Sequence, residues 1–380
     1  MTPFDFHLPT RLVFGSGMVK RLGELAQDLN FSRPLLVSDR GLTKTGHVER
    51  VRRLLRSSGL NVETFDDFDV NPDSVMVEKG ATFAKTCRRD SIIGLGGGSS
   101  LDCAKGINLI LTNGGKIHDY RGYGKARKPL LPMIAVPTTA GTGSEAQSYA
   151  VIADSTTHMK MACGDPKLAF AVAVLDPELT LSQPASVSAI AGYDAISHAV
   201  ETAVTTRRTP ISELFSREAF RLLDGHYTRV LNEPKDILAR GAMHLGAFFA
   251  GAAIEQSMLG AAHACANPLT ARYDLAHGVA LAILLPHVVR WNSQANEELY
   301  RDLVRDSIQE SSDVTPGSYL ATRLVDIGRA GGLPLDLRTT GVKKKDLSNL
   351  AESASQQWTG SFNPRPFGAH EALEVYQCAF

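Results

Sequence analysis

"SIIGLGGGSSLDCAKGINLILTN", residues 91–113, carries three kinds of local order in one run. The part "SIIGLGGG" (91–98) reads as a buried strand running into glycine, and "SLDCAKGINLILTN" (100–113) reads as a helix. Strand, glycine turn and helix in that order form the first half of a βαβ unit. Gly96, Gly97 and Gly98 lack a Cβ, so the backbone there can approach a ligand closely. The free N–H groups and dipole of the helix that follows favour an anion. Ser99 and Ser100 add hydroxyls, and Ser100 is also a candidate N-cap. A phosphate or pyrophosphate suits this environment, and so does a tight turn with no ligand. The G-x-G-x-x-G fingerprint is incomplete, because Ser99 holds the third glycine position.

Outward from this stretch the same rhythm repeats. "PLLVSD" (34–39), "NVETFD" (61–66), "MIAVPTT" (133–139) and "FAVAVLDP" (170–177) read as strands. "HVERVRRLLRSSG" (47–59) and "SVMVEKGATFAKTC" (74–87) read as helices between them. Apolar strands alternating with helices predict an α/β domain with a parallel, Rossmann-like sheet. "PTTAGTGSEA" (137–146) is a second small-residue loop at a strand end, and two such loops are what a ligand crevice in an open α/β sheet requires. Asp39 closes "PLLVSD". A carboxylate there would accept ribose hydroxyls and repel a 2′-phosphate, favouring NAD over NADP, while an ordinary turn or cap explains it equally.

From about Pro184 the pattern turns helical and alanine-rich, which divides the chain into an α/β domain (1–183) and an all-α domain (184–380). "RTTGVKKKDLSNLAESA" (338–354) reads as a solvated turn followed by a helix. A length of 380 residues suits two domains, and 43% hydrophobic with 21% charged residues suits a globular chain with a large core. Lys+Arg and Asp+Glu balance at 40 each, which gives no footprint for nucleic acid and no polybasic membrane surface. No signal peptide is read at the N-terminus, and no window is expected to reach the roughly 18 apolar residues that span a bilayer. Five scattered cysteines without CxxC spacing predict a reduced, cytoplasmic setting.

"GYDAISHAVET" (192–202) places Asp194 and His198 four apart, on one face of a helix. "AAHACANPLTARYDLAHG" (261–278) adds His263 and His277, with "RYD" predicted to break the run so that two helices can converge. One carboxylate and three neutral imidazoles make a sound donor set for a divalent transition metal, Fe2+ or Zn2+ alike. Taken singly, each histidine reads better as a packed or surface residue than as a ligand, and His7, His47, His118, His158, His226, His244, His287 and His370 keep that reading.

Taken together, "LPTRLVFGSG", "VSDRGL", "NPDSV", "GLGGGSSLDCAK", "VPTTAGTGSEA", "GYDAISHAVE" and "AHGVA" resemble the iron-containing, group III alcohol dehydrogenases, in the family's order and over nearly the whole chain. The resemblance implies an NAD(P)-binding α/β domain, a helical metal-binding domain and a substrate cleft between them. It implies metal ligation by Asp194, His198, His263 and His277, and pyrophosphate contacts at Gly97, Gly98 and Ser99. Further nucleotide contacts fall on Asp39, Asn71, Thr138, Thr139, Thr142 and Lys160. The expected activity is NAD(P)-linked alcohol oxidation or aldehyde reduction on a small-molecule substrate, with no nucleic-acid or membrane partner. A homodimer or higher homo-oligomer is implied, joined partly through the strand around "TRLVFGSG". Three departures mark the expected substrate pocket. Asn267 stands where many members have a second histidine, "IEQSMLG" (254–260) replaces a run such as FSNAGLG, and Tyr149 replaces a smaller polar residue. Two rival readings stay open: an NAD- and metal-dependent cyclase or lyase of the dehydroquinate synthase type, and a non-catalytic nucleotide-binding protein.

Overall fold

The computed structural model describes residues 3–69, 71–305 and 314–380. The chain divides into two compact units, His7–Gln183 and Pro184–Phe380, and the residues up to Phe6 group with the second.

The first unit contains strands β1 (Arg11–Phe14), β2 (Pro34–Val37), β3 (Glu63–Phe65), β4 (Ser91–Gly96), β5 (Gly122–Tyr123), β6 (Met133–Pro137), β7 (Tyr149–Ala153), β8 (Lys160–Gly164) and β9 (Val172–Leu175). Its helices are α1 (Leu22–Asp28), α2 (Arg40–Thr43), α3 (His47–Ser57), α4 (Ser74–Thr86) and α5 (Gly98–Asn113). Six strands form one sheet in the order β1-β9-β6-β4-β2-β3, and every pairing is parallel. β2, β4, β6 and β9 are buried along their whole length. The reason is that both faces are covered. Leu36, Ile93, Leu95, Ile134, Val136 and Val174 share one core with Leu22, Leu25, Val51 and Leu55 of α1 and α3. On the opposite face a Cβ at Gly94 would stand 2.9 Å from Leu101 of α5. That two-sided burial explains the unbroken apolar strands of the sequence.

After β2 the chain steps outward to β3, then crosses back to β4 and continues to β6 and β9. The strand order therefore reverses between β2 and β4, and the carboxyl ends of those two strands flank the crevice where open α/β sheets bind ligands. A second sheet, β5-β8-β7, includes an antiparallel β7–β8 pair that the sequence reading did not anticipate; β7 (YAVIA) is an apolar run, but it and β8 are only five residues long and partly buried. Ser100 is not the N-cap expected for α5. The helix begins at Gly98 with Gly97 as N-cap, which leaves Ser100 inside the first turn.

The second unit consists of helices α6 (Ala185–Thr202), α7 (Pro210–Asn232), α8 (Ile237–Ser257), α9 (Ala261–Tyr273), α10 (His277–Asn296), α11 (Arg301–Val304), α12 (Pro316–Ala330), α13 (Leu347–Ser355) and α14 (Ala369–Cys378). Thr209 caps α7 ahead of Pro210, and Asp236 caps α8. Phe6 packs against Phe215 of α7. The expectation that no window is long and apolar enough to cross a membrane is corrected by α8, which passes by length and composition. Most of α8 is buried, as expected of a core helix.

His244 on α8 is fully buried, and neither ring nitrogen has a hydrogen-bond partner among the described residues. Burial pushes its imidazole down to about 3. The unfolded chain therefore binds a proton near pH 6.5 that the folded chain refuses, so stability present above that pH is lost as pH falls towards 3. Between pH 6.5 and 5 the cost is about 2 kcal/mol. His244→Leu is expected to flatten this acid limb and to raise stability at pH 5. Urea unfolding of both proteins at pH 7.5 and pH 5 checks it, and an equal acid loss in the variant would clear His244 of responsibility.

Candidate active site

In the α/β unit the glycine loop and the threonine loop meet. A Cβ on Gly97 would stand 3.2 Å from Thr139, and one on Gly98 would stand 2.5 Å from Thr142. The neighbouring loop thus leaves no room for a Cβ at Gly98 and only a tight fit for one at Gly97. Gly96 has φ +143°, and a Cβ there would strike Ser100. Thr138 is buried and its N–H donates to the Gly96 carbonyl (3.0 Å), fastening the two loops at the strand ends.

Asp39 serves as the cap that the plainer reading offered. Its Oδ1 accepts the Leu42 N–H at 3.0 Å, and its Oδ2 accepts the Ser100 hydroxyl at 3.1 Å. It is therefore fixed beside the glycine loop across the β2/β4 switch. Asn71, at φ 58°, donates its backbone N–H to Ser99 Oγ at 3.1 Å. Lys160 opens β8, and its charge acts on the half-buried Asp102.

Lys105 and Asp102 were missed by the sequence reading. Lys105 is fully buried and its ammonium donates to Ser144 O (2.7 Å), Ser144 Oγ (3.0 Å), Gln147 O (2.7 Å) and Tyr149 O (2.7 Å). Asp102 accepts the Ser144 hydroxyl at 2.6 Å, and burial pushes its carboxyl up. Glu145 in the same loop is pushed up to about 7, chiefly by burial. The two residues lie one turn apart on α5, and that i, i+3 spacing just after the glycines was the available signal.

In the helical unit Asp194 and His198 sit one turn apart on α6, and His198 Nε2 lies 3.5 Å from Asp194 Oδ1. His263 enters from α9 and His277 is the first residue of α10. Their Nε2 atoms lie 3.9 and 4.0 Å from the same carboxylate oxygen. The chain reverses between α9 and α10 at Asp274, which adopts a left-handed conformation (φ 51°, ψ 29°). Gly278 then lets α10 rest on α6, since a Cβ there would meet the Ile190 carbonyl oxygen at 2.1 Å. Asp194, His263 and His277 form a group whose ligand atoms all lie within 4.8 Å of one another. His198 is outside that tightest group but stacks its ring on His263 at 4.9 Å.

The donor set passes a simple test for a divalent metal. Bonds near 2.1 Å at tetrahedral angles put ligand atoms about 3.4 Å apart, close to the separations seen here. Asp194 Oδ1 and His263 Nε2 are buried without a hydrogen-bond partner among the described residues, as suits atoms that ligate a cation.

Glu201 was also missed. It is buried, accepts from Ala262 N–H at 2.6 Å and is hydrogen-bonded to His263 Nδ1. Asp194, His198 and Glu201 follow i, i+4, i+7, so one helix face carries all three, and that pattern was legible. Asn267, one turn after His263, donates to Gln357 Oε1 at 3.1 Å. Tyr149 belongs to the α/β unit, on β7 of the small sheet beside Tyr123.

A switch-point crevice with paired glycine and threonine loops in one unit, and a buried Asp/His cluster in the other, define an enzyme class that joins a nucleotide cofactor to a divalent metal. Comparison with known proteins sharpens the class. The iron-containing alcohol dehydrogenase family model matches residues 9–177, and that of the Fe-containing alcohol dehydrogenase family C-terminal region matches 188–380. The chain is 34% identical to the NAD-dependent methanol dehydrogenase of Bacillus methanolicus, covering 99% of each protein. It is 33% identical to the 1,3-propanediol dehydrogenase of Klebsiella pneumoniae, again over 99% of each. A solved 1,3-propanediol oxidoreductase superposes with a TM-score of 0.95 at 32% identity over the whole of both chains. The chain belongs to the iron-containing alcohol dehydrogenase family. It is an oxidoreductase acting on CH–OH groups, and the cyclase alternative is not favoured.

Proposed function

We propose that this chain interconverts a small alcohol and its aldehyde with NAD as the redox partner, and that a divalent metal is held by Asp194, His198, His263 and His277. The observation that carries the reading is the convergence of three imidazole Nε2 atoms within 3.5–4.0 Å of one buried carboxylate oxygen. When bound, NAD takes or returns a hydride at its nicotinamide and the metal supplies Lewis acidity towards a substrate oxygen.

The chain's own residues do the positioning. Gly97, Gly98 and Ser99 offer a cradle at the start of α5 for pyrophosphate, with Thr138, Thr139 and Thr142 facing it, and Asn71 and Lys160 complete the nucleotide set. Asp39, anchored by Ser100, supports NAD over NADP through its negative charge. Asp194 brings the one formal charge to a site otherwise made of imidazoles, and its burial keeps water from competing. Asn267 spends one amide N–H on Gln357 and keeps its second N–H and its carbonyl for the substrate. It cannot titrate near neutral pH, so a proton leaving the alcohol must pass through water or a ribose hydroxyl.

All five cysteines are free, which supports a reducing, cytoplasmic setting. Fe2+ and Zn2+ both suit the donors; metal analysis of protein purified without added metal identifies the native ion. A screen of short alcohols, diols, hydroxy acids and aldehydes, read at the NADH absorbance band, tests the whole reading. Net NADH formation supports it. No turnover of any candidate with metal and NAD both bound would make the chain a non-catalytic nucleotide binder.

We also infer a homodimer or higher homo-oligomer through β1. This strand is an edge of the sheet. Arg11 and Gly15 donate their N–H groups to β9 and the residue flanking it, so those of Leu12 and Phe14 point to the free side, and Phe14 is 42% exposed. Leu12→Pro removes an outward donor without touching the β9 ladder. It is expected to shift the protein towards monomer in light scattering while leaving the fold intact; an unchanged mass would place the interface elsewhere.

A further inference from the structure

We infer that Glu201 is a positioning residue: it fixes which nitrogen of His263 carries the proton, and so which nitrogen is free to ligate. The inference rests on the metal-site reading above.

Both carboxylate oxygens of Glu201 face donors. Oε1 accepts the Ala262 N–H at 2.6 Å, and Oε2 meets His263 Nδ1. A carboxylate has no hydrogen to give, so His263 Nδ1 must carry the proton. Nε2 then holds a lone pair, and it is Nε2 that lies 3.9 Å from Asp194 Oδ1. A carboxylate behind a ligating imidazole fixes its tautomer, its orientation and its basicity.

The same carboxylate ends a helix. Gly260, the N-cap of α9, makes no side-chain cap bond. The first two free N–H groups of the helix are met from afar: Asn363 Oδ1 accepts from Ala261 at 3.3 Å, and Glu201 accepts from Ala262. Asn363 is braced in turn by Asn292, whose Oδ1 accepts from Asn363 Nδ2 at 2.8 Å. A negative group at this positive helix end is favourable. A Cβ on Gly260 would stand 3.0 Å from Glu201 Oε1 and 3.1 Å from Asn363 Oδ1. Gly260 therefore leaves room for the carboxylate, although its φ of −131° would suit any residue. Glu201 sets where α9 begins and how His263, three residues in, presents its ring.

Glutamine at this position is nearly isosteric but offers only one acceptor. If its oxygen stays on Ala262, its NH2 faces His263 and drives the ring to the Nε2–H tautomer, with no lone pair towards Asp194. If its oxygen turns to His263, the NH2 confronts the Ala262 N–H. Either way the ligating state of His263 is disfavoured.

The test has two arms. In metal-free wild-type protein with 15N-labelled histidine, His263, assigned by difference from His263→Ala, is expected to show the Nδ1–H tautomer. An Nε2–H signature overturns the inference without any Glu201 variant having to fold. In the second arm, metal affinity is measured by competition with a chromogenic chelator. Glu201→Gln is expected to bind metal about 10–100-fold more weakly than wild type. Gly260→Ala, which crowds the carboxylate without removing it, is expected to fall between the two. Equal affinity in wild type and in a folded Glu201→Gln would overturn the inference and leave the metal site standing. Equal affinity in His263→Ala would instead overturn the site itself.

Discussion

Asp194→Asn is expected to lose its metal and nearly all turnover, yet to be more stable than wild type once both are stripped of metal. The carboxylate is the single formal charge among three imidazoles whose Nε2 atoms lie 3.5, 3.9 and 4.0 Å from its Oδ1. Asparagine keeps the shape and removes the charge. Lewis-acid stabilisation is worth several kcal/mol, so turnover is expected to fall by about a thousandfold or more. The stability change has the opposite sign for a different reason. In the absence of a cation, Asp194 Oδ1 is a buried acceptor with no hydrogen-bond partner among the described residues, at a residue 7% exposed. Relieving that burial is expected to stabilise the metal-free protein by about 1–2 kcal/mol. Thermal unfolding with excess chelator measures the stability difference, and elemental analysis measures the metal. Full metal occupancy in Asp194→Asn would move the ion away from this cluster. A site whose residues destabilise the empty protein is what a trade-off between stability and function predicts.

Gly98→Ala is expected to weaken nucleotide binding sharply through a contact with protein. The added Cβ would stand 2.5 Å from Thr142 Cγ2 and 2.6 Å from Thr142 Oγ1, so one loop or the other must shift. Gly98 is the first residue of α5, and its displacement moves the N–H groups proposed to receive pyrophosphate. Overpacking of this kind costs about 1–3 kcal/mol, far more than the slight helix preference of alanine returns. Calorimetric titration with NAD is expected to show a loss of up to about a hundredfold, taking the strain as falling mainly on the bound state. Adding Thr142→Ser removes the nearer methyl group, and the double variant is expected to regain part of the affinity. Wild-type affinity in Gly98→Ala would mean that the threonine loop yields freely and that the glycine is not required there.

Much of this molecule was legible in the order of its residues. Unbroken apolar strands alternating with amphipathic helices predict a parallel sheet, because helices covering both faces leave no polar side for the strands. Asp194 and His198 were legible as a pair because helical periodicity is local, and Glu201 on the same face was equally available. Ser100 was misread as a cap because propensity marks cap residues without fixing where a helix starts; here glycine opened α5 two residues earlier. In the second sheet β7 alternates in burial, but its sequence YAVIA is apolar throughout and so shows no polar–apolar alternation.

What the sequence by itself determined is the inventory: which elements form, which donors the chain possesses, and which pairs share a helix face. The tertiary structure decided which donors meet. His277 reaches Asp194 because Gly278 lets α10 rest on the backbone of α6 at Ile190. His263 presents Nε2 because Glu201, sixty-two positions earlier in the chain, stands behind its other nitrogen. Asp39 serves the glycine loop because strand order reverses between β2 and β4. Each of these is a contact between distant segments, set by close packing of backbones, and periodicity along one segment carries no information about it.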